Sequence, residues 1–533
     1  RSPVDRLVSL RLTTAPGSPT LTGRIIHTDR SSEVVAFAGI PYAEPPLGAL
    51  RFSLPVKKTF HPDEKIEARY PGDSCLQLIY APFPFFVAPQ NKVSEDCLYL
   101  NVFTKEPWLK SSPPSTRPVI FYLHGGSFSN GDGISRDGSG LTDYGDVVLV
   151  TVNYRLGLLG FPDLPGVTPN LGLWDAVMAL QWVQDNIGGF GGDKNRVTIM
   201  GESAGGALVT YLHTSPLTGA LFARSIPLSG SQTAPWAYNS RQSWEEVHKW
   251  PTLVEKAGCG DEKSAVCCLR NLSTYELWDV MWEMSQIYQM DTWAPMVDGV
   301  LVTSKPVQAI QDGHFTERPV LSGICADEGV HIAMHMAGSS NVSIELNNAT
   351  MTKEQFWDLS VGDPLNQNGT FPCMSDGGEA LVELYRPADD GVKMKEQYAK
   401  FMGDWLLTCP QFTTADELAA VGYTVYQYTF DYKWTRAIDK DKDWQGTLHN
   451  FDLAFIFGLP FSSRSPFTEV YPDVFGRRDR AMSKAMIGIV SSFAATGKPI
   501  AQIDGKEICW GDITSSEEIL VVGTNELRAE SLT

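Results

Sequence analysis

The sequence predicts an α/β protein with a large, mostly parallel central sheet and helices on both faces. Two features predict it. Apolar β-type runs recur at Val119–Leu123, Val147–Tyr154, Val197–Met200, Ser225–Leu228, Pro319–Cys325 and Tyr423–Tyr432. Helix-like segments lie between several of them. The clearest is Leu173–Asn186, with apolar residues at Leu173, Trp174, Val177, Leu180 and Val183, close to helical spacing. Strands that are apolar on both faces and alternate with helices read as a parallel sheet covered on both sides. In such sheets the chemistry sits on loops at the carboxyl ends of the strands.

Composition narrows the function. The chain has 533 residues, 43 Lys+Arg against 62 Asp+Glu, a net charge of −19, 43% hydrophobic and 20% charged residues. That is a globular composition. A pI near 4.9 argues against phosphate-backbone binding, which needs clustered Lys and Arg, so no nucleic-acid partner is expected. It also speaks against an anionic membrane surface. No run reaches the roughly 18 apolar residues of a transmembrane helix. No Rossmann or P-loop glycine pattern supports a nucleotide, and no cofactor is expected. His331 and His335 stand four apart, but H-E-x-x-H is not satisfied and a third ligand is missing, so no metal is expected. Gln286 and Gln289 read as a solvated helix face.

The run Val197–Met200 leads into Gly201-Glu202-Ser203-Ala204-Gly205 and then a helical stretch, Ala207 to His213. G-x-S-x-G between a strand and a helix is the context of a nucleophile elbow. The turn strains the serine backbone and lifts its hydroxyl above the sheet, and the helix N-terminus behind it favours negative charge. A serine hydroxyl needs a base. It also needs donors for a tetrahedral oxyanion, each worth ~3–4 kcal/mol. The run Val119–Leu123 ends in His124-Gly125-Gly126-Ser127-Phe128, an HGG-type loop that supplies main-chain N–H groups.

With these motifs the chain resembles the type-B carboxylesterases, the cholinesterase-like family of α/β-hydrolases. The resemblance rests on FAGIPYA at 37–43, PPLG at 45–48, SEDCLYLNV at 94–102, NYRLG at 153–157, NIGGFGG at 186–192, the elbow, FGLP at 457–460 and ATGKP at 495–499. It spans nearly the whole chain and implies that residues 1–533 form one α/β-hydrolase domain. It implies a triad of Ser203, Glu328 (in Asp327-Glu328-Gly329) and His449 (in Gly446-Thr447-Leu448-His449). That chain order, Ser then acid then His, suits the fold. The histidine would take the serine proton and return one to the leaving alcohol, with the acid fixing its tautomer. The implied oxyanion donors are the N–H groups of Gly126, Ser127 and Ala204. Position 127 is commonly Gly or Ala in relatives, so Ser127 is a departure. Glu202 and Ser229 match positions beside the triad, the first tuning charge and the second supporting Glu328. The resemblance further implies disulfides Cys75–Cys97 and Cys259–Cys268, and structural ion pairs Arg51–Glu95 and Arg155–Asp175. Cys267 and Cys325 are then free, and Cys373, Cys409 and Cys509 stay unassigned.

Substrate cues are local. In cholinesterases the loop between the first two cysteines carries a Trp that stacks on the choline ammonium. Here that loop has no Trp; Val87 stands near the place, beside Phe85 and Phe86. A choline ester is therefore disfavoured and an apolar acyl or alkyl chain preferred. Trp293 falls where relatives build the acyl pocket, and Trp236 could line the same gorge; both could equally be core.

Sequons at Asn271, Asn341, Asn348 and Asn368, together with nine cysteines, point to glycosylation, an oxidising compartment and secretion. A start at Arg1 without Met fits a removed leader, and Glu530-Ser531-Leu532-Thr533 carries no retention signal or anchor. The expected protein is a secreted serine carboxylesterase on small, moderately apolar esters. Its rivals are a cholinesterase-like enzyme, a juvenile-hormone-type esterase, a lipase, and a catalytically inactive neuroligin-like adhesion protein.

Overall fold

The computed structural model describes residues 6–12, 18–30, 32–78, 92–239, 249–260, 264–288, 293–313, 317–339, 351–353, 355–356, 383–385, 392–434, 446–462, 475–524 and 526–531. Strand Arg117–Leu123 shows how its sheet is packed. Val119, Phe121 and Leu123 join one apolar layer, while Ile120 and Tyr122 join another on the opposite face. Alternation along a strand forces this, since successive side chains point to opposite sides. Helices Leu171–Asn186 and Ala204–Thr214 cover the first face. Helices Phe451–Ile456 and Arg477–Thr496 cover the second.

Among the described residues the main sheet has thirteen strands. Its central strands run parallel in the order Val148–Val152, Arg117–Leu123, Gly192–Glu202, Arg224–Leu228, Val320–Cys325, Val425–Asp431 and Glu518–Gly523. This is the α/β-hydrolase arrangement. Each of the six apolar runs read from sequence lies on one of these parallel strands. Both ends of the sheet are antiparallel. Leu7–Arg11, Thr20–His27, Glu33–Pro41 and Tyr99–Lys105 extend one edge, and Leu527–Ser531 closes the other. Thr20–His27 alternates buried with half-buried residues, so it lacks the continuous apolar run that marks a two-sided strand.

Parallel strands end on the same side. Leu123, Glu202, Leu228 and Cys325 therefore deliver the segments beginning at His124, Ser203, Ser229 and Ala326 to one edge.

Both ion pairs implied by the resemblance are present and buried. Arg155 grips both oxygens of Asp175, Nε to Oδ2 at 2.8 Å and Nη2 to Oδ1 at 2.7 Å. Its third nitrogen donates to the Ser53 carbonyl at 2.8 Å. Arg51 holds Glu95 at 2.8 and 2.6 Å and donates to three carbonyls at 269, 270 and 272. Breaking such a pair strands an unpaired charge in the interior. Asp175→Ala is expected to destabilise the fold by about 3–5 kcal/mol, read as a large drop in the urea or thermal midpoint. An unchanged midpoint would show that Arg155 finds another partner.

Candidate active site

Strand Gly192–Glu202 and helix Ala204–Thr214 are separated by a single residue, Ser203. It adopts φ 57° and ψ −123°, a conformation that costs a non-glycine residue about 1–3 kcal/mol. Hydrogen bonds on both sides hold it there. Its N–H donates to Leu228 O at 2.8 Å, and its carbonyl accepts from Ala207 N at 3.0 Å. The two glycines of the motif are required by close approach. A Cβ on Gly201 would overlap the Gly205 carbonyl, and one on Gly205 would overlap the Leu123 carbonyl. Ser203 is partly accessible, and its hydroxyl donates to no acceptor among the described residues.

The loop after Arg117–Leu123 lies directly on this turn. A Cβ on Gly125 would sit 2.7 Å from Glu202 Oε2 and 2.9 Å from Ser203 Cβ. Gly126, Ser127 and Phe128 all have positive φ, at 110°, 52° and 56°. Tyr154 pins the loop from below. Its hydroxyl donates to His124 O at 2.6 Å and its ring stacks on the His124 imidazole at 4.4 Å. Burial pushes the His124 pKa down, so this imidazole is neutral. The N–H groups of Gly126 and Ser127 meet no acceptor among the described residues. Ala204 N–H opens the helix, where first-turn N–H groups lack intrahelical partners.

Glu328 follows strand Val320–Cys325 and is 1% exposed. A buried carboxylate must be hydrogen-bonded or paired, and this one is both. Oε1 accepts from the Ser229 hydroxyl and from Cys325 N at 2.7 Å. Oε2 lies 2.5 Å from His449 Nδ1. The two segments are clasped together: Asp327 N donates to Thr447 O at 3.1 Å, and Thr447 N donates to the Asp327 side chain, at Oδ2, at 2.7 Å. The other ring nitrogen, His449 Nε2, lies 2.9 Å from Glu202 Oε1. That contact is out of line for a hydrogen bond, and Glu202 Oε1 has no hydrogen-bond partner.

Charge follows from this geometry. Burial of the imidazole works against its protonation, but Glu202 and Glu328 outweigh it and raise the His449 pKa well above its ordinary value. Close by, burial pushes Asp452 up to about 6, although the Tyr428 hydroxyl donates to it at 2.7 Å.

The structure thus brings Glu328, His449, Glu202, Ser203, Ser229 and the 124–128 loop together. Trp236 is buried behind the loop, 5.9 Å from the Phe128 ring, and its Nε1 donates to Leu406 O at 2.8 Å. Trp293 is fully buried beside Gly157, whose N–H donates to Phe128 O at 2.7 Å. Both disulfides are formed, Cys75–Cys97 and Cys259–Cys268. Cys267 and Cys325 are free, as are Cys409 and Cys509. Asn271 is exposed at the end of helix Ala265–Asn271. Phe85, Phe86, Val87, Gln289, Cys373, Asn341, Asn348 and Asn368 lie outside the described residues. Sequence reasoning passed over the Asp327–Thr447 clasp, Asp452 and Tyr154. It also read His331 only as half of a metal pair, whereas its ring stacks on His449 at 5.0 Å and 15°. Tyr154, Asp327 and Thr447 lie within the quoted motifs, but no spacing rule names the contacts they make.

The sequence profile described as the Carboxylesterase family matches residues 9–531. The chain belongs to the carboxylesterase family. Two relatives span most of it. A mouse (Mus musculus) cholinesterase is 32% identical over 509 residues, 91% of this chain and 79% of the relative. An acetylcholinesterase of Bungarus fasciatus is 31% identical over 501 residues, 91% of this chain and 78% of the relative. With that membership, this carboxylesterase is a serine hydrolase of carboxylic esters. No helix among its described residues is long and apolar enough to cross a membrane.

Glu202→Gln removes one of the two charges that favour the imidazolium. The His449 pKa is expected to fall, so an activity limb that follows its deprotonation moves to lower pH. A pH–rate profile of the variant checks this; an unmoved limb would mean that Glu202 is not coupled to the titrating group.

Proposed function

We propose that this carboxylesterase is a secreted enzyme that cleaves small, moderately apolar esters through an acyl-enzyme formed on Ser203. Ser203 Oγ attacks the carbonyl carbon while His449 Nε2 takes its proton. Glu328 holds Nδ1 and stabilises the imidazolium. Gly126, Ser127 and Ala204 donate N–H groups to the oxyanion. The imidazolium then protonates the leaving alcohol, and water repeats the sequence to free the acid. One observation carries the reading: a buried Glu328–His449 pair at 2.5 Å that abuts the strained serine turn. The Ser203 hydroxyl and Nε2 come into line when substrate enters, since catalytic hydrogen bonds often tighten only in the complex.

The raised His449 pKa suits this role. The same two carboxylates that raise the His449 pKa stabilise the ion it becomes when it accepts the serine proton. The neutral form is the base, so activity rises with pH through the histidine pKa and falls below it.

The substrate class rests on the Trp-free stretch 76–96 and on the aromatic layer of Phe128 and Trp236. A cholinesterase-like activity is the second reading, favoured by the names of the two relatives. Secretion rests on the two disulfides and the four sequons in the sequence, features of an oxidising compartment. An inactive adhesion protein would leave Ser203 unreactive.

Three outcomes are expected. An organophosphate labels Ser203 stoichiometrically in well-folded protein; no labelling favours the adhesion alternative. Ser203→Ala lowers kcat by ~10⁶-fold at an unchanged melting temperature. Across a panel of esters, short and medium acyl esters of uncharged alcohols outrun choline esters. Faster choline turnover overturns the substrate class and favours the second reading.

A further inference from the structure

We propose that His331 is a positioning residue for His449, an inference that rests on the triad reading above. The two imidazoles stack with centroids 5.0 Å apart and planes 15° from parallel. Two contacts meet the edges of the His449 ring, the hydrogen bond to Glu328 at Nδ1 and the misaligned approach of Glu202 at Nε2. To serve Ser203, Nε2 must leave Glu202. Only the Nδ1 contact then remains, and a ring held by one hydrogen bond is free to turn about it. A flat neighbour on the ring face blocks that rotation. Offset stacking tolerates sliding within the plane but resists tilting. His331 therefore leaves His449 free to swing from Glu202 to Ser203 to the leaving oxygen, while keeping the ring in one plane.

The support is built into the segment that carries the acid. Glu328 and His331 are three residues apart, across the turn that starts helix Val330–Ser339. Val330 N donates to Asp327 O at 3.4 Å and Ala333 N to Gly329 O at 2.8 Å. Gly329 is packed so tightly on helix Val392–Gly403 that a Cβ would overlap the backbone at Ala399 and Gly403. The start of the helix cannot drift, so the ring it carries is a fixed wall. One clamp thus holds the catalytic imidazole by an edge and by a face.

The test compares three substitutions. His331→Ala is expected to lower kcat by about tenfold to a hundredfold, the scale of a misplacement near 1 Å, with little change in KM. His331→Phe, which keeps a flat ring, restores most of the loss. His331→Leu, which fills similar space without a flat face, does not. The rate of organophosphate labelling at Ser203 follows the same order, because it reads the serine–histidine contact without a leaving alcohol. Wild-type kcat in the Ala variant, equal rescue by Leu and Phe, or a change confined to KM overturns the proposal. Failure of the parent reading is seen separately, in wild-type protein that neither hydrolyses esters nor takes the label. Wild type that labels normally while His331→Ala labels as fast sinks the positioning role alone.

Discussion

Two buried carboxylates facing one imidazole form the constraint around which this site is built. Glu202 and Glu328 approach opposite nitrogens of His449 at 2.9 and 2.5 Å. Removing two negative charges from water is costly unless donors replace the water. The fold supplies them unevenly. Glu328 receives the Ser229 hydroxyl, a main-chain N–H and the imidazole, whereas Glu202 Oε1 has only the misaligned imidazole contact. The well-bonded carboxylate is an anchor. Glu202 Oε1 is held less firmly, with no hydrogen bond of its own.

The second constraint is crowding at the elbow. A serine in a left-handed conformation relaxes unless the surroundings forbid it. Here the strand, the helix and the 124–128 loop approach so closely that Gly125, Gly201 and Gly205 each stand where a methyl group would strike a neighbour. Ser203 is therefore held by packing that involves three separate segments. The same crowding sets Gly125 of the loop directly against the Ser203 side chain.

Farther out, the chain ties distant segments with charges and sulfur. Arg51 joins Glu95 to three carbonyls at the C-terminal end of helix Ala265–Asn271. The Cys75–Cys97 bridge closes a 22-residue loop, a restraint of ~3 kcal/mol on the unfolded chain. Cys259–Cys268 closes a shorter one nearby.

The sequence by itself determined the parallel centre of the sheet, because strands covered on both faces must be continuously apolar. It also determined the elbow and the glycine loop, because those turns admit few residue types at fixed spacing. The peripheral antiparallel strands were less legible, since their exposed faces interrupt the apolar pattern. Spacing could not select His449 among nine histidines, and only likeness to a family singled it out. Tertiary structure alone decided the rest: that Glu202 turns toward Nε2, and that His331 covers the face of His449. Those contacts join residues up to 247 positions apart (202 and 449). Local sequence encodes which turn a segment makes, whereas the approach of two such turns follows from how the whole sheet aligns its strand ends.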